Sequence, residues 1–269
     1  MNAFKHLLGA SGGHPPIGTW ISSASPLVAE AMACAGFDWG VLDMEHSPLD
    51  MMDLVHLLQA VSASRMVPVV RVPWNDKVTI KRVLDAGATT LLVPFVQSAE
   101  EAARAVAAAR YPPEGVRGMS STGRASHFGT TPNYLRQANR GVALIAQIET
   151  VQAVGELEAI AAVPGVDALF LGPADLSASM GHVGQLTHPA VLDLMSEVVQ
   201  RCRALGKPVG AIGALPEAVA QYRAIGFDFV AVASDLGLLI QGAQAVISAL
   251  RTPGAMHVHT LARGTETQG

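Results

Sequence analysis

VALIAQIET, residues 142–150, and DALFLGPAD, residues 167–175, are two apolar strand-like runs that lead to a carboxylate, Glu149 in the first and Asp175 in the second. A buried strand has no structural use for a charged tip, because a carboxylate is costly to remove from water. If the two strands are parallel neighbours, Glu149 and Asp175 lie side by side at one mouth of the sheet. Two carboxylates there suit a hard divalent cation, with substrate and water oxygens completing its coordination. The alternative is that each residue caps the helix that follows it.

Strand-like and helix-like segments alternate along the chain. The strand-like segments are short and almost continuously apolar, as expected of parallel strands covered on both faces; they are 16–21, 38–42, 66–71, 90–94, 142–148, 167–172, 208–212 and 228–232. The helix-like segments are 26–35, 50–63, 76–86, 98–109, 151–161, 188–205, 216–225 and 236–250. Eight such units predict an α/β protein with a (β/α)8 TIM barrel. A doubly wound open sheet is the alternative, disfavoured because no G-x-G-x-x-G motif follows the first strand.

One stretch, 110–141, interrupts this alternation and is rich in Gly, Pro, Ser and Arg. It follows the fourth strand, where a barrel places active-site loops. No second domain is evident. We therefore predict a single barrel domain over residues 1–269, with a polar, mobile tail at 252–269.

The composition of the chain argues against several classes of binding partner. The net charge is −4 and no basic block occurs, which argues against nucleic acid or an anionic membrane as a partner. Cys34 and Cys202 are far apart and read as buried thiols, which suits a reducing compartment. The N-terminus lacks the apolar core of a signal peptide, and no apolar run has the length of a membrane span. We expect a cytoplasmic protein that acts on small molecules.

Polar or aromatic residues recur at the carboxyl ends of the strands, where a barrel carries its catalytic groups; they are Trp20, Asp43, Glu45, His46, Arg71, Gln147, Glu149 and Asp175. Arg71 suits a carboxylate, since its fork binds two oxygens; a structural ion pair with Asp43 or Glu45 is the alternative. His46 is a plausible general base, because imidazole titrates near neutrality. A lone histidine is more often structural.

Two further places could receive an anion. The strand-to-helix turn 172–176 offers free backbone N–H groups. Arg117 and Arg124, in the long loop, could face a second anionic group, although a solvated loop charge is the expected role of Arg117.

Lysine is scarce, and its positions bear on mechanism. An imine-forming enzyme needs a lysine inside the barrel mouth. The four lysines do not fit that place; they are Lys5, Lys77, Lys81 and Lys207. A metal is therefore the expected electrophile.

The chain resembles the HpcH/HpaI family of metal-dependent pyruvate aldolases, relatives of citrate lyase β-subunits and macrophomate synthase, over about residues 16–250. The matching motifs are GTW at 18–20, DMEH at 43–46, VRVP at 70–73, LDAGA at 84–88, YPPEGVRG at 111–118, QIET at 147–150 and LGPADL at 171–176. The resemblance implies a barrel with an exchanged helix at a dimer interface, assembled as a hexamer.

The resemblance also implies site roles. A divalent cation (Mg²⁺, Mn²⁺ or Co²⁺) is expected at Glu149 and Asp175. Pyruvate is expected on that cation, with its carboxylate near Arg71 and the Gly172–Asp175 turn, whose Ala174 and Asp175 amides face it. His46 matches the family's base. Further matches are Asp43 beside that base, Asp85 reaching in from an adjacent subunit, and Gln147 beside the pyruvate.

The implied reaction is reversible cleavage of a 4-hydroxy-2-oxo acid to pyruvate, or a related 2-oxo acid such as hydroxypyruvate, and an aldehyde. Ile212 and the loop 119–129 are expected to line the outer pocket, where Arg124 could bind a distal carboxylate, and Trp20 is expected to contact the substrate. The alternatives are a metal-dependent oxaloacetate decarboxylase, a CoA-ester lyase, and a non-catalytic barrel that binds 2-oxo acids.

Overall fold

The computed structural model describes residues 2–10 and 14–251, in which eight parallel strands close into a barrel. The strands are β1 Ile17–Ile21, β2 Trp39–Asp43, β3 Val67–Arg71, β4 Thr90–Val93, β5 Ala143–Ile148, β6 Ala168–Leu171, β7 Val209–Gly213 and β8 Phe229–Ser234. Each pairs with the next along the chain, and β8 pairs with β1. The predicted (β/α)8 barrel is confirmed, and every strand limit lies within 2 residues of its prediction. The predicted tail, 252–269, lies outside the described residues.

Helices surround the barrel. They are α1 Ala3–Ala10, α2 Pro26–Cys34, α3 Met51–Val61, α4 Lys77–Asp85, α5 Ala99–Ala109, α6 Tyr134–Gly141, α7 Val151–Gly155, α8 Leu157–Ala162, α9 Pro173–Ser179, α10 Pro189–Ala204, α11 Pro216–Ile225 and α12 Asp235–Arg251. The predicted helix 151–161 is in fact two helices, which meet at Glu156. The sequence did not predict α1, α6 or α9. No helix of the described residues is both long and apolar enough to traverse a bilayer.

Aromatic side chains fill the barrel interior; they are Trp20, Trp39, Phe170 and Phe229. Phe4 of α1 closes the amino-terminal end, with its ring 6.0 Å from that of Trp39 and 5.3 Å from that of Phe229, both edge-on. Glycine is required at Gly18, where a Cβ would overlap the Trp39 ring. Because the interior and the amino-terminal end are filled, the carboxyl-terminal mouth is left as the place for a ligand.

The last helix, α12, does not bury its apolar residues against its own barrel. Asp235, at its start, is buried and accepts hydrogen bonds from the Ser22 and Ser23 amides. Beyond that anchor the large apolar side chains are exposed; they are Leu236, Leu238, Leu239, Ile240, Val246, Ile247 and Leu250. An exposed apolar face of this length is typical of an interface.

The two cysteines are free thiols in different surroundings. Cys202 is buried, and burial raises the pKa of its thiol to about 12. Cys34 is exposed at the end of α2, so the prediction of two buried thiols is wrong for this residue. Cys34 is the last residue of α2, a surface helix whose buried residues are two alanines.

Candidate active site

A pocket of about 620 Å³ opens at the carboxyl-terminal mouth of the barrel. Eight residues that the sequence analysis selected line it; they are Trp20, His46, Arg71, Gln147, Gly172, Ala174, Asp175 and Ile212. Asp43 and Glu149 are almost fully buried close behind this wall, at 2% and 1% exposure. The rule that polar residues at strand ends converge is therefore correct for this chain.

Arg71 is held on two sides by carboxylates. Its Nε and Nη2 donate to the two oxygens of Asp43 at 2.8 and 2.7 Å, and its Nη1 lies 2.8 Å from Glu45 Oε2. The guanidinium also stands 5.4 Å from the centre of the Trp20 ring, close enough for a cation–π contact. Arg71 thus agrees with both hypotheses, the structural ion pair and the substrate-binding site: its side chain is ion-paired, and it also lines the pocket.

His46 lies at the rim of the pocket, with a side chain that is 66% exposed. Its nearest acid is Glu45, whose Oε2 lies 3.9 Å from Nε2. Asp43 contacts the backbone of His46: its Oδ1 accepts from the amides of Glu45 at 3.0 Å and His46 at 3.5 Å. Asp43 therefore shapes the turn that carries the histidine.

Glu149 is positioned from both sides. It accepts hydrogen bonds from the Phe95 amide and from Gln147 Nε2, each at 2.7 Å. Phe95 adopts a left-handed conformation, with φ of +51°, which is uncommon for a bulky residue and is found at functional sites. The cap of the next helix is Thr150, whose hydroxyl accepts from the Ala153 amide at 3.1 Å. Glu149 is therefore free of the capping role that was its alternative.

Burial of Glu149 without a cation has an electrostatic cost. Burial raises the pKa of its carboxyl to about 7, despite the hydrogen bonds from Phe95 and Gln147, and the negative charges of Glu45 and Asp175 add to the increase. Burial likewise raises the pKa of Glu45, against the lowering by Arg71. Glu45, Glu149 and Asp175 therefore lie close enough to affect one another's ionisation, near the guanidinium of Arg71.

Gly172 leaves room for the side chains of Glu149 and Gln147. A Cβ at this position would lie 2.7 Å from Glu149 Oε2 and 3.1 Å from Gln147 Nε2. It begins the strand-to-helix turn, and Asp175 follows in the first turn of α9 without capping it. The Gln147 Oε1 atom is buried and has no hydrogen-bond partner among the described residues.

The donor set fits a hard divalent cation. Glu149 and Asp175 could offer carboxylate oxygens to such an ion, and the unpartnered Gln147 oxygen could accept from a bound water. Within residues 2–10 and 14–251, no three His, Cys, Asp or Glu side chains form a closed ligand group.

Three residues of the sequence analysis lie outside this pocket. Asp85, at the end of α4, accepts a hydrogen bond from Arg117 Nη2 at 2.7 Å, and Arg124 Nη1 donates to the Ala86 carbonyl at 2.8 Å. Arg117 is buried, with its guanidinium 4.5 Å from the centre of the Tyr111 ring. The expectation of a solvated Arg117 is wrong.

Asp85, Arg124 and the loop 119–129 do not line the pocket of their own chain. A role for Asp85 or Arg124 at the active site therefore requires a second copy of the chain. Both roles stay predictions, as does the outer-pocket role of the loop.

The pocket includes residues that the sequence analysis missed. Ser22 follows β1 and Ser234 ends β8, so the strand-end rule could have found both. Leu186 comes from the loop between α9 and α10, and Gln241 from α12. The Phe95 amide left no signal in the sequence, because its role depends on a backbone conformation.

A closed barrel with paired carboxylates and a fixed arginine at its mouth defines an α/β-barrel enzyme with a site suited to oxyanion chemistry. The model of the HpcH/HpaI aldolase/citrate lyase family matches residues 16–242. The chain therefore belongs to this family of lyases, as its motifs predicted.

Similar proteins agree with this family assignment. The chain is 50% identical to 2-dehydro-3,6-dideoxy-6-sulfogluconate aldolase of Pseudomonas putida, over 88% of this chain and 92% of that one. It is 47% identical to 5-keto-4-deoxy-D-glucarate aldolase of Salmonella arizonae, over 90% and 94%. The crystal structure of an HpcH/HpaI aldolase/citrate lyase family protein from Burkholderia cenocepacia has a TM-score of 0.90, with 41% identity, covering 94% of this chain and 100% of that one. The protein is an enzyme of the aldolase class.

Proposed function

We propose that this enzyme is a divalent-metal-dependent aldolase that reversibly cleaves a 4-hydroxy-2-oxo acid to pyruvate, or a related 2-oxo acid such as hydroxypyruvate, and an aldehyde. The observation that carries the proposal is the buried carboxylate of Glu149, which packs against Gly172 within electrostatic reach of both Asp175 and the fixed guanidinium of Arg71. The relatives that are named as aldolases support it.

Glu149 and Asp175 would hold the cation, for which Mg²⁺, Mn²⁺ and Co²⁺ are the candidates. A cation bound there supplies Lewis acidity toward the oxygens of a 2-oxo acid. Gln147 keeps Glu149 oriented through its amide N–H, and its own buried oxygen faces the same region. The amides of Ala174 and Asp175, in the first turn of α9, would receive the carboxylate of the 2-oxo acid.

Arg71 would stabilise the negative charge that grows on the substrate as the enolate forms. Asp43 and Glu45 fix its guanidinium before the substrate arrives, so no reorganisation is needed during the reaction. The guanidinium has five N–H donors, and those that remain can face the pocket.

His46 would act as the base, removing a methyl proton from pyruvate or, in the cleavage direction, the proton of the C4 hydroxyl. Its exposure at the rim leaves room for the substrate beside it. No described residue of the same chain makes a side-chain hydrogen bond to the imidazole. An acid from a second copy, for which Asp85 is the candidate, would complete this arrangement.

The assembly we propose is a dimer that exchanges α12, with dimers stacked as a hexamer. The exposed apolar side chains of α12 support it, since they have no cover in one chain. We further propose a single barrel domain and a cytoplasmic location, which the two unpaired thiols support.

A screen of 4-hydroxy-2-oxo acids with the metal-reconstituted enzyme, coupled to detection of pyruvate, tests the function. Pyruvate should form from at least one substrate, and Glu149→Gln should form none. Glu100→Gln, at an exposed ion pair, is the matched control and should behave as the parent. Decarboxylation of oxaloacetate without any retro-aldol cleavage would instead identify a decarboxylase.

A further inference from the structure

A compact loop, His182–His188, joins α9 to α10 and forms part of the pocket wall; we call it the lid loop. It consists of two successive turns, closed by hydrogen bonds from the Gln185 amide to the His182 carbonyl at 2.9 Å and from the His188 amide to the Gln185 carbonyl at 3.0 Å. The loop directly follows α9, the helix that carries Asp175.

The two ends of the lid loop meet through their side chains. The rings of His182 and His188 stack 3.7 Å apart and 17° from parallel. Each end is tied to a helix: the His182 amide donates to the Ser177 carbonyl at 2.8 Å, and His188 Nδ1 accepts from the Ala190 amide at 3.2 Å. Among the described residues, neither imidazole forms an ion pair with a carboxylate, and the ring stack is the side-chain contact that joins the two ends of the loop.

Leu186 is the residue by which the lid loop reaches the pocket. It lines the cavity together with Trp20 and Ile212, whereas Val183, at the tip of the same loop, is 75% exposed. The loop therefore presents one apolar side chain inward and another outward. This geometry provides a matched pair of positions for a test.

Two glycines, one just before the loop and one within it, adopt left-handed backbone conformations. Gly181 and Gly184 have φ angles of +82° and +73°, in the left-handed region, and a Cβ at either would meet no atom within 4 Å. Their immediate surroundings are therefore open, and packing does not fix the backbone there.

We propose that the lid loop covers the acceptor aldehyde, with Leu186 as a specificity-determining contact and the stacked imidazoles as the latch that holds the loop in this position. The proposal rests on the proposed function, because the aldehyde is the second product of that reaction. Leu186 and Ile212 are apolar residues that line the same pocket as the polar residues that would hold the 2-oxo acid. The alkyl chain of the aldehyde would contact these apolar side chains.

Aldol addition of pyruvate to acetaldehyde and to pentanal tests the contact. Leu186→Ala should shift the ratio of kcat/KM in favour of pentanal about tenfold, since one or two methylene groups discriminate by that order. Val183→Ala should change the ratio less than about twofold. Exchange of the pyruvate methyl protons, which needs no aldehyde, should be unchanged in both variants. An unchanged aldehyde ratio with normal methyl exchange would overturn the lid alone, whereas absence of exchange in the parent would overturn the proposed function and the lid together.

Hydrogen exchange of the metal-loaded protein tests the latch. His182→Ala should speed amide exchange in residues 182–188 about three- to tenfold, as expected for loss of one ring stack. His182→Phe retains a ring and should exchange as the parent does. Equal protection of this loop in His182→Ala and the parent would overturn the latch.

Discussion

Asp43 pairs side-on with Arg71, with 2.8 Å between Oδ1 and Nε and 2.7 Å between Oδ2 and Nη2. The same Oδ1 accepts from the amides of Glu45 and His46. One buried carboxylate thus orients both the cationic group and the turn that carries the proposed base. On the other side of the guanidinium, Nη1 lies 2.8 Å from Glu45 Oε2.

Replacement of Arg71 by lysine keeps a positive charge but loses the planar fork. We expect kcat/KM to fall about 10²-fold or more, as found when a fixed transition-state donor is removed, together with weaker pyruvate binding. Steady-state kinetics and pyruvate titration measure both. Arg104→Lys, at an exposed ion pair, is the control and should be near normal. Near-normal kinetics for Arg71→Lys would leave Arg71 as a structural ion-pair partner.

Gly172→Ala places a methyl group 2.7 Å from Glu149 Oε2 if nothing moves. The carboxylate must shift, so we expect at least about tenfold weaker metal affinity, as for residues that orient metal ligands. Gly155→Ala is the matched control, because a Cβ at that position meets nothing within 4 Å. Calorimetric metal titration separates the two. Equal metal affinity in both variants would show that the contact at Gly172 is unimportant.

The Glu158–Arg201 ion pair joins α8 to α10, with Arg201 Nε and Nη2 each 2.7 Å from a Glu158 oxygen. The hydrogen bonds from Arg201 lower the pKa of Glu158 to about 2. A lowered pKa means that the stabilisation is complete above the ordinary value of 4.5 and is lost as pH falls toward 2.

Glu158→Gln should therefore reduce the free energy of unfolding at pH 7 by less than about 1 kcal/mol, because the pair is largely exposed. The difference from the parent should narrow at pH 3.5. Urea unfolding at the two pH values measures it, with Glu100→Gln as an exposed control. A difference that widens on acidification would contradict this.

The apolar face of α12 should require a second chain. Leu239→Lys places a charge on a side chain that is 65% exposed in one chain and buried in the proposed assembly. We expect light scattering to show a smaller species than the parent, because an unpaired charge is costly in an apolar interface. Leu205→Lys, an exposed leucine on another helix, should leave the mass unchanged. A parent that is monomeric and fully active would contradict the assembly itself.

Sequence patterns predicted the barrel well because its strands are continuously apolar and its helices are periodic. They missed α1, α6 and α9, which are short. In α6 and α9, Gly, Pro or polar residues also obscure the helical periodicity. The carboxylates Glu149 and Asp175 were predictable because a charge at a strand tip is unusual.

Other features depend on tertiary contacts that no local pattern carries. Arg117 lies in a stretch whose composition is that of an exposed loop, yet it is buried against Tyr111 and paired with Asp85. Leu186 enters the pocket from a polar loop, and Phe95 contributes only its amide. These roles follow from how the chain folds back on itself.

Proton exchange at the pyruvate methyl group, followed by NMR in D₂O, tests the central claim most directly, because it isolates enolate formation from any choice of aldehyde. Exchange should stop after exhaustive EDTA treatment, return with Mg²⁺, Mn²⁺ or Co²⁺, and stay absent in Glu149→Gln at every metal concentration tried. His46→Ala should slow exchange while it retains the metal. Full exchange in the EDTA-treated parent, or covalent trapping of pyruvate by borohydride, would contradict the metal-dependent mechanism.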